Sequence, residues 1–244
     1  LCKRFRQYLI DKYSGETPLN YYSRFKWAVN AATSDGYFHK NPTEKVFSKS
    51  NPSTTLKENL EVEEYLQLLN TPCFNEEVMN AFIFSCYTGL RWCDVKEMKW
   101  GDMQGNILTT RIIQQKTGQP VTLTMHPIAM SIFEKQRSRK SASSHKTEYV
   151  FSLPTANGAN KVVDLWVHRA GIDKHITWSC ARLSFSILLQ DKNVDDATIA
   201  YLMGHTTTDQ VRRTYKRHRP KNQVATIGLL PTPEHSLYLP ASVN

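Results

Sequence analysis

Arg91, Arg182, His205 and Tyr215 stand in four short stretches of side chains suited to one kind of chemistry. In Thr88-Gly89-Leu90-Arg91-Trp92, Gly89 is placed to end one helix and Arg91 to open the next. That sets a guanidinium beside unpaired backbone N–H groups, a natural seat for a phosphate. The competing use of Arg91 is an ion pair with Asp94 or Glu97. In Trp178-Ser179-Cys180-Ala181-Arg182-Leu183-Ser184-Phe185, Ser179 reads as a helix N-cap, with Arg182 one turn further in. An Arg between Ala181 and Phe185 on an apolar helix needs a carboxylate or a phosphate. In Leu202-Met203-Gly204-His205, the Gly closes a helix and leaves His205 on the following loop. Tyr215 is ringed by Arg212, Arg213, Lys216 and Arg217. Such neighbours favour a phenolate and draw in phosphate; the plainer reading is a Tyr packed on a basic amphipathic helix.

The elements that must position these residues are mostly helical. Phe5, Tyr8 and Leu9 recur at helical spacing among Lys3, Arg4, Arg6 and Lys12. Ser14-Gly15 makes a turn, and Thr17-Pro18 opens a second helix with an apolar stripe of Tyr21, Tyr22, Phe25, Ala28, Val29 and Ala32. Gly36 ends it and Asn41-Pro42 blocks continuation. Two such helices bury little alone, and read as the end of a helical domain whose beginning is absent. Residues 48–58 are polar and contain Pro52, the best linker candidate. Beyond them, the pattern predicts helices at about 61–70, 76–88, 91–99, 127–138, 159–169, 180–191, 195–203 and 208–216. Between the third and fourth of these, β-branched runs at 106–114 and 120–124 flank Lys116-Thr117-Gly118-Gln119, a hairpin signal. The class is mainly α with one small antiparallel sheet.

Over 244 residues the formal net charge is +9, which suggests an anionic partner. Residues 1–58 carry 10 basic and 5 acidic side chains, so a quarter of the chain holds more than half of the excess. No apolar run reaches the roughly 18 residues of a membrane span, and no signal peptide is legible. The first residue is Leu, as expected of a fragment or processed form. Five scattered cysteines without a Cys-x-x-Cys pair read as buried structural thiols in a reducing cytosol.

Taken in order, the motifs resemble the tyrosine recombinase family of phage and transposon integrases. The matching pieces are Thr-Gly-Leu-Arg at 88–91, Lys116 in the hairpin, x-x-x-Arg at 179–182, Leu-Met-Gly-His at 202–205, and Tyr215 ten residues after His205. The Asn-Pro close of the first unit and the stretch Phe-Ile-Phe-Ser-Cys-Tyr-Thr-Gly-Leu-Arg look most like integrases of Bacteroides-type mobile elements. The resemblance implies a tyrosine recombinase catalytic domain at 59–218. A partial helical core-binding, SAM-like domain at 1–48 precedes it, with a linker at 49–58. A tail at 219–244 is expected to dock on a neighbouring protomer. The two domains are expected to close on DNA as a C-shaped clamp.

It also implies roles. Tyr215 is the nucleophile, leaving a 3′-phosphotyrosine and a free 5′-hydroxyl. Arg91 and Arg182 clamp the phosphate, His205 donates to its oxygen, and Lys116 protonates the leaving 5′-oxygen. Arg24 and Lys26 in the first unit, and Arg212 and Arg213 beside the nucleophile, are expected to contact DNA. No metal or nucleotide cofactor is called for. The implied partners are double-stranded DNA, further copies of the chain as a tetramer on DNA, and accessory DNA-bending or directionality proteins. The implied setting is a bacterial cytoplasm, at the nucleoid. One position departs from the family: Ser179 stands where His is usual, and Ser cannot take a proton as imidazole does. His175 is nearby but at the wrong spacing, and Leu183 occupies another frequent His position.

Other readings are a non-catalytic DNA-binding relic of an integrase, a type IB topoisomerase-like enzyme, and an unrelated basic helical regulator. A clamp on several phosphates predicts that DNA affinity falls steeply with salt, with a log–log slope of about −4 or steeper. A salt titration of binding checks this, and a flat response contradicts the clamp.

Overall fold

The computed structural model describes residues 1–51, 58–113, 118–139, 146–209 and 211–212. The chain divides into two compact units, Leu1–Lys57 and Glu58–Asn244. The first holds α1 (Cys2–Lys12) and α2 (Thr17–Ser34). Pro18 lies in the first turn of α2, where its missing N–H costs nothing. A small core of Cys2, Leu9, Tyr22 and Val46, edged by Phe5, Tyr13 and Phe25, joins the helices. The expected apolar faces are only partly right: Tyr8 of α1, and Tyr21 and Ala28 of the α2 stripe, are exposed. Cys2 and Val46 fill the core instead. Nor is the first part of the expected linker free. Ser48 Oγ lies 2.9 Å from Ser23 Oγ, and the Asn51 side-chain amide donates to the Ile10 and Tyr13 carbonyls. Residues 52–57 lie outside the described residues.

The second unit contains α3 (Val62–Leu69), α4 (Glu76–Thr88), α5 (Trp92–Lys96), a 3₁₀ turn (Trp100–Asp102), β1 (Met103–Gln104), β2 (Ile107–Ile113), β3 (Pro120–Thr124), α6 (Pro127–Arg139), α7 (Ala156–Arg169), α8 (Trp178–Asp191) and α9 (Asp196–Leu202). Helix α4 is apolar on nearly all sides, and α6, α7 and α8 all pack on it. Phe82 meets Trp166 and Trp178 edge to face, with centroids 6.2 and 5.7 Å apart. The Asn75 side chain caps α4 by accepting from Val78 N–H at 3.0 Å. The three strands form an antiparallel sheet in order β1-β2-β3, pairing Leu108 with Leu123. Leu108, Val121 and Leu123 face the core. Strand β1, only two residues long, is an addition to the two strands expected. Among the described residues, no helix is long and apolar enough to cross a membrane. The expected hairpin tip at Lys116, most of the helix at 208–216 and the tail at 219–244 lie outside the described residues.

Gly89 closes α4 with φ +67°, a left-handed conformation that a side chain disfavours. A Cβ there would come within 2.6 Å of the Phe185 ring on α8. Both features make the glycine necessary for the α4–α8 contact. Gly89→Ala should lower unfolding stability by about 1–3 kcal/mol, read as a fall in the denaturation midpoint.

Candidate active site

Arg182 lies on the α8 face that packs against α4, and only 5% of it is exposed. Its guanidinium donates to the Gly89 carbonyl, to the Met203 carbonyl at 2.6 Å, and meets His205 Nε2 at 3.0 Å. Gly89 and Met203 are the C-caps of α4 and α9. Helix C-termini carry partial negative charge, about half an electron each. The buried cation therefore rests on two helix ends. Since a guanidinium has only donors, a hydrogen bond in this contact is accepted by His205 Nε2.

The Gly-His pair owes its geometry to the close of α9. Gly204 N–H donates to the Tyr201 carbonyl at 2.9 Å, and His205 N–H to the Ala200 carbonyl at 2.8 Å. This is a Schellman close, which needs a left-handed residue at Gly204, here φ +63°. A Cβ on Gly204 would lie 2.5 Å from Ile112 Cγ2, so strand β2 packs against the bare backbone. An open groove of about 610 Å³ runs between Ile112, Ile113 and Val121 of the sheet and Ala200, Tyr201 and His205 at α9.

Arg91 is the exposed N-cap residue of α5, two residues after Gly89. Its backbone N–H donates to Asp94 Oδ2 at 3.0 Å. Glu97, the other partner considered, is 3.4 Å from Arg111. The structure thus brings Arg182 and His205 into contact, with Arg91 two residues from a carbonyl that Arg182 binds. Lys116, Arg213 and Tyr215 lie outside the described residues. Arg24 is exposed on α2, and Lys26 stands 5.8 Å from the Phe47 ring centroid. Arg212 Nε donates to Asp196 Oδ2 at 3.2 Å.

The start of α8 differs from expectation. Thr177, not Ser179, is the N-cap residue, because the helix begins at Trp178, whose N–H donates to Asn160 Oδ1 at 2.8 Å. Ser179 is exposed on the first turn, its Oγ 3.0 Å from Thr177 Oγ1. It sits three residues before Arg182, hence on the same side of the helix. The His175 ring lies 3.6 Å from Asp164 Oδ1 and is largely exposed. Of the cysteines, Cys2, Cys86 and Cys180 are buried, but Cys93 is exposed, against the expectation of buried thiols throughout. Burial pushes the Cys86 thiol up, and partial burial with Asp94 nearby raises that of Cys93. Sequence reasoning missed the carbonyls of Gly89 and Met203 as partners of Arg182. The signal was Arg182 itself, an Arg in apolar context with no carboxylate one turn away.

Residues 58–222 match the phage integrase family, and the chain belongs to it. A protein of Escherichia coli (strain K12), IntQ, described as defective, is 22% identical over 259 residues. That alignment covers 90% of this chain and 64% of IntQ, so the chain spans less than two thirds of that relative. Among solved structures, lambda integrase (residues 75–356), a dimer bound to a core site, is similar at TM-score 0.67 and 19% identity, over 89% of this chain and 80% of that one. The Tn1549 transposon integrase (residues 82–397), in complex with circular intermediate DNA, is similar at TM-score 0.71 and 15% identity, over 93% and 84%. The fold is that of these proteins.

Since Ser179 is not the cap, replacing it removes no capping bond. Ser179→His should speed formation of any covalent DNA adduct, toward the 10²–10⁴-fold range of about what a positioned imidazole gives. The gain should rise as imidazole deprotonates, around pH 6–7. A pH series of single-turnover cleavage checks it; unchanged rates would remove position 179 from the chemistry.

Proposed function

We propose that the chain is a site-specific DNA recombinase, cutting and rejoining DNA one strand at a time without a metal. The observation that carries this reading is the buried Arg182 held against His205, inside the region that matches the integrase family. Such a pair can bind and polarise a phosphate, with the exposed Arg91 at the start of α5 as a further cation for it.

In the proposed step, Tyr215 Oη attacks the scissile phosphorus and forms the P–Oη bond as the bond from phosphorus to the 5′-oxygen breaks. Arg91 and Arg182 offset charge on the non-bridging oxygens, and His205, once a phosphate oxygen replaces it as acceptor for Arg182, donates to one of them through Nε2. Lys116 gives its proton to the departing 5′-oxygen. The proton of Tyr215 passes to water or to a group other than residue 179, since a Ser hydroxyl is a poor base. A partner strand's 5′-hydroxyl reverses the step, and the bond energy stays in the phosphotyrosine.

The unit Leu1–Lys57 is proposed as the end of a core-binding domain, with Arg24 and Lys26 toward DNA, and residues 219–244 as a tail that docks on a neighbour. The assembly proposed is a tetramer on paired sites in a bacterial cytoplasm, with DNA-bending or directionality proteins as accessories. The Bacteroides-type motifs support a mobile-element origin. A second reading, a DNA-binding relic, is favoured by one observation: Ser179 engages Thr177 where the family usually has His.

A nicked suicide substrate separates the two. The unaltered chain should accumulate a covalent DNA adduct, and Tyr215→Phe should abolish it while changing DNA affinity by less than about threefold. No adduct with the unaltered chain selects the relic; adduct on the variant means another nucleophile.

A further inference from the structure

We infer that Lys174 and Ser184 are positioning residues, which fasten α8, and through it Arg182, to the segment 58–60. The inference rests on the recombinase reading and deepens it.

Residues 58–60 open the second unit, and each of them binds the stretch 174–184. The Glu58 carboxylate accepts from the His175 N–H at 2.6 Å. Lys174 Nζ donates to the Asn59 carbonyl at 3.1 Å, and to Glu64 Oε2 on α3 at 2.6 Å. Leu60 N–H donates to Ser184 Oγ at 2.9 Å, and that hydroxyl donates to the Cys180 carbonyl at 2.9 Å. The bonds of Lys174 and Ser184 are shielded from water. Leu60 is fully buried, Asn59 and Ser184 nearly so, and the Lys174 and Glu64 side chains are each only 25% exposed. In such surroundings hydrogen bonds are stronger and ion pairs less screened than at the surface. The bonds also flank Arg182. Those of Lys174 and His175 precede α8, and that of Ser184 comes two residues after Arg182. Apolar contact with α4 is non-directional and resists sliding or rolling of α8 weakly. Directional bonds at two points along the helix remove that freedom. A phosphate clamp needs such placement, since a shift of about 1 Å can cost about 10²-fold in rate.

The test reads Lys174→Met and Ser184→Ala by single-turnover adduct formation on the nicked duplex at saturating DNA. Each should slow the step roughly threefold to tenfold, with DNA affinity within about twofold, and Lys174→Arg should keep most of the rate. Unchanged rates overturn the positioning role. A second duplex carries a methyl group in place of one non-bridging oxygen of the scissile phosphate, as each stereoisomer. That phosphate has no net charge for Arg182 to offset, so the Lys174→Met defect should shrink on at least one isomer. An equal defect on every substrate would make the tie merely structural and overturn the role. Amide hydrogen exchange reads the tie without activity. In Lys174→Met, residues 178–184 should exchange faster while those of α4 stay unchanged. Unchanged exchange in α8, or equal quickening in α4, overturns the tie. An unaltered chain that forms no adduct overturns the recombinase reading instead, and exchange still judges the tie.

Discussion

The second unit depends on how a buried guanidinium is satisfied. Moving an isolated cation from water into a protein costs several kcal/mol after relaxation. Here Arg182 is met by the Gly89 and Met203 carbonyls and by His205. Each carbonyl belongs to a helix end whose last C=O groups would otherwise lack partners. The cation and the helix ends therefore solve each other's problem. The solution requires the ends of α4 and α9 to come within reach of one Arg on α8. Gly89 and Gly204 make that approach feasible, since Phe185 and Ile112 occupy the space a Cβ would need. The glycines are packing requirements as much as turn requirements.

What was legible in the sequence follows from this. Helix α4 could be read closely because every cue is local: Asn75 as cap, Glu76 and Glu77 in the first turn, Gly89 at the close. Strands β2 and β3 were legible from β-branched runs, whereas β1 spans two residues and owes its existence to pairing with β2. The stripe on α2 failed at Tyr21, because periodicity names a face but not which of its edges a two-helix unit can cover. At the site, Arg182 and His205 were legible as residue types in suspicious contexts. Their mutual contact and the two carbonyls were not, because they arise where residues 89, 182, 203 and 205 meet through tertiary packing.

The start of α8 shows how a small error in register alters a chemical argument. If Ser179 were the cap, its hydroxyl would belong to the backbone and the position would be structural. With Thr177 as cap residue, Ser179 lies one turn before Arg182 on an exposed surface. Its hydroxyl pairs with that of Thr177 rather than with a helix N–H. The position is thus sterically open to a larger side chain. Under the recombinase reading, the departure at position 179 is then a matter of one side chain.

Helix termini account for where the proposed chemistry sits. Arg91 caps the start of α5, Ser179 is in the first turn of α8, and His205 completes the close of α9. Starts of helices present N–H groups and favour anions, while ends favour cations. Arg182 is the exception, placed mid-helix, and it is the one that joins two C-termini to its own helix. Substitutions in the apolar bodies of α4 and α8, and at the packed Gly89 and Gly204, should therefore act through stability, and those at Arg91, Arg182 and His205 through charge and position. The fold that holds these termini is shared with integrases only 15–19% identical, so it is the packing of the frame, rather than most individual side chains, that the fold requires.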